Sequence, residues 1–573
     1  MKKRCSLLPW LCAAQSLAGV GCMSALAQTG HSALWALLLV LIWTGTLRFW
    51  REDDRRAKLG FGLLGAAFAL CCALGVRLDA AGETGFAALG ACVLAAVCLA
   101  PAAGEGFLWI VRGLGRLRTP LRLKGKTAFC LAFAVLILCW TPVLIAFFPG
   151  IDGYDIDGQH YQILSGNYST HHPLLHTLYL QMFFRLGEWL FGSVSMGFGL
   201  STIAQALLLA AAIAYAMWYL RHCPRGLWIG LLGFFALSPQ HAVMAASAIK
   251  DIPFAAVMVV LTVEMLRFLT EPEREKKPLV WICDAALVCL ACLLRNNAVY
   301  ALALVVLLGA VIWRRKLGLR VLAVLAAGVI AGLGCAAGLK AATGAADGSI
   351  REMLCVPCQQ LARVYDLYGL ERPVGYEVLE VLPYADDYTP ERADAVKRQA
   401  KVVGEGRLTR FAKLWARELL HYPAEYIDAF LLLTKGYWWV DDLSYTTTYN
   451  SPGADRGCMI LWHNEATQLT MENLWPGVKA LCERLFAQNE YQRFPVLWQL
   501  MQPAVYSWLL ALALVWAWWT KRREVLLAGG ACLCYLLTLL LGPCVLIRYQ
   551  YMLMLCAPVL LGYLCADGKE DKR

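Results

Sequence analysis

Carboxylates and imidazoles cluster in one short stretch of an otherwise apolar region. The stretch is PGIDGYDIDGQHYQILSGNYSTHHPLL, which begins at Pro149 and directly follows the nearly uncharged run TAFCLAFAVLILCWTPVLIAFF. It contains Asp152, Asp155 and Asp157, and such carboxylates act as general bases on hydroxyls or ligate divalent cations. The glycines among them predict an irregular loop. The alternative interpretation is a solvated acidic loop without chemistry.

Two adjacent histidines, His171 and His172, follow in the piece YSTHHPLLH. Imidazoles at this place are suited to holding a carboxylate or a phosphate. The alternative is that they form only the polar start of a helix near lipid headgroups.

Three cations lie where apolar segments reach the predicted outer side of a membrane. Lys250 is followed by Asp251 in AIKDIPFA, Arg295 by Asn296 in LLRNNAVYAL, and Arg548 lies in GPCVLIRYQY. A charge at this depth is costly unless it is paired or functional. A single cation is explained as an anchor that extends to the interface. Three together predict a site for an anion at headgroup depth, such as a lipid phosphate or pyrophosphate.

The composition indicates what positions these residues. Of the 573 residues, 59% are hydrophobic and 16% charged, whereas soluble chains contain about 25% charged residues. The net charge of +11 comes from basic clusters that flank apolar runs. This pattern orients helices in a membrane and does not indicate a nucleic-acid partner. Phosphate-binding loops, dinucleotide fingerprints and zinc-protease motifs are not found in the sequence.

The apolar runs predict an all-α polytopic membrane protein of about 14 helices with both termini cytoplasmic. The predicted spans are 7–27, 32–50, 59–79, 85–103, 127–148, 194–220, 225–238, 252–269, 279–294, 298–313, 317–338, 499–519, 524–541 and 547–566. The spans 279–294 and 298–313 are short and leave no room for a loop between them. We therefore expect them to bend around a water-filled cavity at the outer leaflet.

Four parts follow from this pattern. They are an N-terminal membrane extension (1–126), a membrane core with an acidic first outer loop at 149–193 (127–339), a mainly helical extracytoplasmic domain (340–498) and the C-terminal spans (499–573). The piece HTLYLQMFFRLGEWLFG predicts an amphipathic helix at the outer interface. In the outer domain Cys355 and Cys358 form a CVPC motif, for which a disulfide, a metal pair or two separate thiols are all possible.

Several pieces together resemble the GT-C class of polytopic glycosyltransferases. They are FPGIDGYDIDGQHYQILSGNYSTHHPLLHTL, AIKDIPFA, LLRNNAVYAL, VPCQQLARV and GPCVLIRYQY. Within that class the chain is most similar to an uncharacterised bacterial family of glycosyltransferase-39-like membrane proteins. The resemblance extends from about residue 127 onward and does not include the first four helices.

The resemblance implies a GT-C-like helix bundle in the bacterial plasma membrane with its active site on the extracytoplasmic side. The implied donor is a polyprenyl-phosphate sugar, and the implied acceptor is a hydroxyl of a cell-envelope glycan, lipid or protein. By position after the Pro-Gly pair, Asp155 corresponds to the catalytic acid of the class, with Asp152 and Asp157 as alternatives. A divalent cation is possible, although no metal ligand is predicted.

The resemblance also suggests roles for other residues. Lys250, Arg295 and Arg548 are expected to bind the donor phosphate, and Gln359, Gln360 and Arg363 of the outer domain to cover donor or acceptor. The competing prediction is a secondary transporter or lipid flippase of the cell envelope, which would use the same intramembrane charges as a substrate path. A third possibility is an envelope assembly protein without catalysis.

Overall fold

Helices account for nearly all the regular structure in this computed structural model. The described residues are 7–28, 33–117, 119, 121, 123–271, 273, 277–312, 319–442, 469, 470, 472, 474–487 and 490–566. Within these ranges the β-structure is limited to isolated bridges. The predicted all-α architecture is therefore confirmed for the described part of the chain.

The first fourteen helices precede residues 344–498, which are called the outer segment after their predicted extracytoplasmic location. They are α1 (Leu8–Leu26), α2 (Ala33–Arg51), α3 (Arg55–Ala81), α4 (Phe86–Gly115), α5 (Gly125–Ala146), α6 (Gly153–Ser165), α7 (Leu174–Phe191), α8 (Val194–Tyr219), α9 (Arg225–Leu237), α10 (Pro239–Ala245), α11 (Asp251–Thr270), α12 (Pro278–Leu294), α13 (Asn296–Ile312) and α14 (Leu319–Thr343).

The remaining helices form the outer segment and the C-terminal part. They are α15 (Cys355–Tyr368), α16 (Pro373–Val381), α17 (Asp394–Arg398), α18 (Arg407–His421), α19 (Pro423–Thr434), α20 (Pro476–Cys482), α21 (Pro495–Met501), α22 (Pro503–Thr520), α23 (Arg523–Leu539) and α24 (Ile547–Ala566).

Among the described residues, eight helices are long and apolar enough to cross a membrane: α3, α4, α5, α8, α11, α14, α22 and α24. The pair α9 and α10, bent by 53°, makes a ninth if it is counted as one broken span. Every predicted span coincides with a helix, yet the expected count of about 14 spans is not confirmed, because several of these helices are short.

The centre of the bundle is formed by α11 and α24. Of their apolar windows, 83% and 78% are buried inside the protein, whereas α5 is only 28% buried. The buried side chains of α11 and α24 belong to one continuous core with α5, α8, α22 and α23. Lys250 and Arg548 lie at the N-terminal ends of α11 and α24, so the packing of these two helices in the core positions both residues.

The outer segment has its own hydrophobic core. Leu361, Val378, Val396, Phe411 and Tyr426 pack together there, separately from the membrane-helix core. The described part of 340–498 is mainly helical, in agreement with the sequence. Of the three possibilities for Cys355 and Cys358, the structure has two free, buried thiols on α15.

The acidic stretch differs from its predicted loop, because the chain is helical from Gly153 onward as α6. Glycine inside a helix costs about 1 kcal/mol, but burial of Ile156 against Leu180 and Phe198 outweighs this cost. A side chain at Gly158 would approach the His172 imidazole within 3.3 Å, so the glycine leaves space for that ring. Asp155 and Asp157, two positions apart on α6, therefore point to different sides of the helix.

The amphipathic helix predicted after the histidines is α7, and it packs closely on α8. The two helices cross at Gly187 and Gly197, where an added Cβ on either glycine would clash with the backbone of the other helix. Small residues at such crossings allow two helices in a membrane protein to approach closely. This crossing fixes the helix that follows His172.

We expect Gly187→Ala to destabilise the protein by about 1–3 kcal/mol, because the extra methyl group must push α7 away from α8. Thermal unfolding of the purified chain in detergent measures this loss. Gly230→Ala is the matched control, since no atom lies within 4 Å of an added Cβ there. Equal stability of the two variants would contradict the close crossing.

Candidate functional site

The Asp155 carboxylate on α6 is held by two cations from distant parts of the chain. Lys250 Nζ lies 2.6 Å from Asp155 Oδ2. Arg548 donates to the same carboxylate through two nitrogens, at 2.9 Å to Oδ2 and 3.3 Å to Oδ1. All three side chains are about nine-tenths buried. The arginine contact is bidentate, which fixes the plane of the carboxylate.

Backbone pairing brings α6 and α11 together. Ile151 N–H donates to the Ala246 carbonyl at 2.8 Å, and Ala248 N–H donates to the Ile151 carbonyl at 3.1 Å. This short parallel bridge ties the residues before α6 to those before α11. Asp155 and Lys250 therefore meet although they are 95 positions apart.

His172 completes this cluster on the other side of Lys250. Its Nδ1 lies 3.0 Å from Lys250 Nζ. Burial, and next the charge of Lys250, hold the pKa of His172 well below its usual value. The imidazole is therefore neutral at neutral pH, and Nδ1 accepts a hydrogen bond from the Lys250 ammonium group. Lys250 is thus directed by two acceptors at once.

A second ion-pair group lies next to the first. Arg295 Nη1 is 2.8 Å from Asp251 Oδ1, and Arg548 Nη1 is 4.0 Å from Asp251 Oδ2. Both guanidinium groups lie 5.0 Å from the centre of the Tyr549 ring, where a cation–π attraction is expected. Arg295 also donates to the Tyr535 hydroxyl at 3.1 Å. Asp251 and Tyr549 therefore separate and orient two like charges.

Arg295 reaches this position because it is the only residue between α12 and α13. Its backbone is extended, with φ −145° and ψ 123°, which breaks the helix. The next residue, Asn296, donates to the Thr170 carbonyl at 3.3 Å, and Thr170 Oγ1 accepts from Gly348 N–H at 2.8 Å. The break therefore joins these helices to the histidine segment and to the outer segment.

Most of these groups, but not Asp251 or Tyr535, line a cavity of about 1030 Å³. Its lining includes Asp155, His171, His172, Lys250, Arg295, Asn296 and Arg548, with further residues of the outer segment. Seven lysine and arginine residues and four aspartate and glutamate residues line it, so the lining has an excess of positive charge. A low-dielectric cavity with this excess favours an anion.

The state of Asp155 follows from its neighbours. Burial alone would raise its pKa, but the positive charges of Arg548 and Lys250 hold the pKa well below the usual value. The group is therefore an anion at neutral pH. Both oxygens of Asp155 contact the side chains of Lys250 and Arg548. The described residues contain no group of three or more His, Cys, Asp or Glu suited to a metal ion. These donors do not fit a divalent cation.

The other predicted site residues lie elsewhere. Asp152 is buried and Asp157 is half-buried, and neither lines the cavity. Asp157 is two positions after Asp155 and therefore points to another side of α6, whereas Asp152 is the residue before the helix begins. Asp155 is therefore the one aspartate of the stretch that the structure brings to the cavity.

Gln359, Gln360 and Arg363 do not line the cavity either. Gln359 donates to the Thr389 carbonyl at 2.7 Å, and Gln360 accepts from Trp415 Nε1 at 2.8 Å. Arg363 donates to the Gly82 carbonyl at 3.1 Å, which links α15 to the end of α3. These three side chains hold the outer segment together and to the bundle, instead of covering a ligand.

Sequence reasoning missed the outer wall of the cavity. Arg351, Arg392, Lys397 and Arg398 line it from the outer segment. They occur in a stretch rich in charges of both signs, where no single cation stands out. Tyr549 was also missed, although it is adjacent to Arg548 in the chain and lines the cavity.

The fold and the cavity define a helical protein of the multi-pass membrane class with a cationic site at the ends of its central helices. The chain belongs to a family of unknown function (DUF6020), whose profile matches residues 159–573. The match includes every lining residue named above except Asp155, which lies four positions before it. No curated protein and no solved structure matches the chain significantly.

We expect Asp155→Asn to destabilise the protein at pH 7 by about 1–3 kcal/mol, because Lys250 and Arg548 lose their charged partner. Because the pKa of Asp155 is lower in the folded chain than its unfolded value of about 3.9, the carboxylate stabilises fully above that value. This contribution is lost as the pH falls toward the folded pKa. The two proteins should therefore converge in stability below about pH 4.

Chemical denaturation at a series of pH values in detergent measures this difference. Asp387→Asn, which removes an exposed carboxylate of the same cavity, is the control and should change stability by less than about 0.5 kcal/mol. A gap between wild type and Asp155→Asn that stays constant down to pH 3 would contradict the assignment.

Proposed function

We propose that the chain is a membrane glycosyltransferase. It transfers a sugar from a polyprenyl-phosphate donor to a hydroxyl of a cell-envelope acceptor at the outer face of the bacterial plasma membrane. The observation that supports this proposal most is the meeting of one ionised carboxylate, Asp155, with Lys250, Arg295 and Arg548 in a single cavity. A general base for the acceptor hydroxyl and cations for the leaving phosphate are the two parts that such a transfer needs.

The cations bind the donor phosphate and stabilise it as it leaves. The bond between the anomeric carbon and the phosphate oxygen breaks, and the phosphate keeps the electron pair. Fixed positive charges in a cavity of low dielectric stabilise this developing charge without reorganisation. Arg295 and Arg548 are held apart on Tyr549, which leaves each guanidinium a separate approach to the phosphate.

Asp155 accepts the proton of the acceptor hydroxyl as that oxygen attacks the anomeric carbon from the opposite face, with inversion. Its ion pairs with Lys250 and Arg548 lower its basicity. A bound phosphate competes for the same two cations, and this competition raises the basicity of Asp155 when the donor is present. The products are the glycosylated acceptor and polyprenyl phosphate, and the proton resides on Asp155 until it is lost to water.

The cavity's place at the helix ends suits an amphiphilic donor. The polar head must reach the charged side chains, while the prenyl tail requires the apolar surfaces of the bundle. The basic loops predicted to be cytoplasmic lie at the opposite ends of these helices. With this predicted topology, we place the bundle among membrane lipids and the mouth of the cavity on the extracytoplasmic side.

The alternative is a transporter or lipid flippase that uses the same charges as a substrate path. It differs in outcome, since a transporter moves its substrate across the membrane without breaking a covalent bond. The purified protein, reconstituted in vesicles, therefore allows the two functions to be distinguished.

We expect purified protein in vesicles to release polyprenyl phosphate from a radiolabelled polyprenyl-phosphate sugar when an envelope extract supplies the acceptor. Asp155→Asn should lower the rate about 10²–10⁴-fold, the usual contribution of a general base. Asp366→Asn, at an exposed position of α15 away from the cavity, is the control and should retain the rate. Movement of intact donor across the vesicle membrane without sugar transfer would reject the enzyme in favour of the transporter.

A further inference from the structure

The His172 imidazole is held in one orientation at the edge of the cavity, which it lines. Its Nδ1 lies 3.0 Å from Lys250 Nζ. The ring of His171 packs against it edge to face, with 4.6 Å between the ring centres. The edge formed by Nε2 and Cδ2 lies over Gly158 of α6, where an added Cβ would be 3.3 Å from Nε2. The ring is therefore fixed on three sides.

The contact with Lys250 decides which ring nitrogen of His172 has the proton. A lysine ammonium group has three N–H donors and no acceptor, so Nδ1 of the histidine must be the acceptor. The low pKa of His172 keeps the ring neutral at neutral pH, and a neutral imidazole has one N–H group. The proton of His172 is therefore on Nε2.

This Nε2–H group is available to a ligand. Among the described residues, Lys250 is the only hydrogen-bond partner of the His172 side chain, and it occupies Nδ1. Nε2 of His172 is also not enclosed, whereas the corresponding atoms of His176 and His241 are buried without a partner. A hydrogen-bond donor at the edge of a cavity gains free energy when a ligand supplies the acceptor.

Neutral side chains around His172 form hydrogen bonds within the protein. Asn296 donates to the Thr170 carbonyl at 3.3 Å, and Asn297 donates to Thr538 Oγ1 at 3.3 Å. Thr170 Oγ1 accepts from Gly348 N–H at 2.8 Å. These contacts fix the wall of the cavity around the histidine and leave its Nε2–H group as a neutral donor beside the cations.

The position of His172 relates this donor to the proposed reaction. Gly158 is three positions after Asp155, so both residues lie on the same face of α6. Lys250 Nζ is 2.6 Å from Asp155 and 3.0 Å from His172. His172 therefore lies next to the proposed base and to one of the cations proposed to bind phosphate. In the donor, the sugar is the group that joins the phosphate to the carbon under attack.

We propose that the Nε2–H group of His172 donates a hydrogen bond to a hydroxyl oxygen of the transferred sugar. A neutral donor suits a neutral oxygen, whereas the cations suit the phosphate. This inference rests on the proposed function, because it assigns the sugar of the donor to a residue of the same cavity. His172 then acts through two atoms: Nδ1 orients Lys250, and Nε2–H binds the sugar.

Two substitutions separate these two atoms. His172→Asn places an amide oxygen near the position of Nδ1, where it accepts from Lys250, but provides no donor at Nε2. His172→Gln places an amide nitrogen near the position of Nε2 but removes the acceptor at Nδ1. Titration calorimetry with the full chain in detergent compares polyprenyl-phosphate glucose, galactose and mannose with polyprenyl methyl phosphate. The last is a phosphodiester of the same charge without a sugar.

We expect at least one of the three sugar esters to bind more tightly than polyprenyl methyl phosphate, and the tightest is the probe. His172→Asn should weaken this probe about fivefold, the usual effect of one hydrogen bond, while polyprenyl methyl phosphate stays within about twofold. His172→Gln should weaken both ligands alike, through Lys250. His421→Asn, at the exposed end of α18 outside the cavity, is the matched control and should bind both as wild type does.

Gly158→Ala tests the same atom without changing the histidine. The added methyl group comes within 3.3 Å of Nε2 and should hinder the approach of a sugar oxygen. Alanine is favoured over glycine inside a helix, so this variant is expected to fold. We expect it to weaken the sugar ester about threefold and to leave polyprenyl methyl phosphate unchanged.

Equal binding of the sugar esters and polyprenyl methyl phosphate by wild type would overturn this inference. An equal loss of both ligands in His172→Asn, or an unchanged affinity of Gly158→Ala for the sugar ester, would overturn it as well. Sugar transfer by His172→Asn with the wild-type rate and KM would contradict the inference alone. A sugar-specific loss of binding in a protein that transfers no sugar would contradict the proposed enzyme alone.

Discussion

The structure around the cavity depends on one shared ion: the carboxylate of Asp155, to which both Lys250 and Arg548 donate. Charges removed from water are costly unless they are paired. Here two cations, 95 and 393 positions away from Asp155 in the chain, share one anion. The helix α6 and the N-terminal ends of α11 and α24, the two most buried of the membrane-spanning helices, must therefore meet at one point.

Other contacts in the fold also bring Asp155 and the cations together. The bridge between Ile151 and Ser247 aligns the acidic helix with the residue pair at the start of α11. The helix break at Arg295 turns a third cation into the same space, where Asp251 and Tyr549 hold it beside Arg548. Contacts with Pro543 and Cys544 attach the outer segment to the residues just before α24, so that both contribute to the cavity lining. These contacts bring Lys250, Arg295 and Arg548 into one cavity with the carboxylate of Asp155.

The sequence was informative where charge contrasts with its surroundings. Lys250, Arg295 and Arg548 were predicted because a cation at the outer end of an apolar helix is unusual, and all three line the cavity. Among the aspartates, only the position after the Pro-Gly pair favoured Asp155.

The helix α6 was missed because glycines mask the helical periodicity, and its stability comes from tertiary burial of Ile156. The outer wall was missed because arginines in a charged segment have no such contrast. Gln359, Gln360 and Arg363 do not line the cavity, because a resemblance in sequence does not distinguish a side chain that binds substrate from one that supports the fold.

The proposed phosphate site can be examined in a structure of the full chain with a bound polyprenyl monophosphate, determined by electron cryomicroscopy. We expect phosphate oxygens at hydrogen-bond distance, about 3 Å, from at least two of Lys250, Arg295 and Arg548, with Asp155 facing the opposite, open side of the phosphate. A phosphate bound outside this cavity, with Asp155 still enclosed by Lys250 and Arg548, would contradict it.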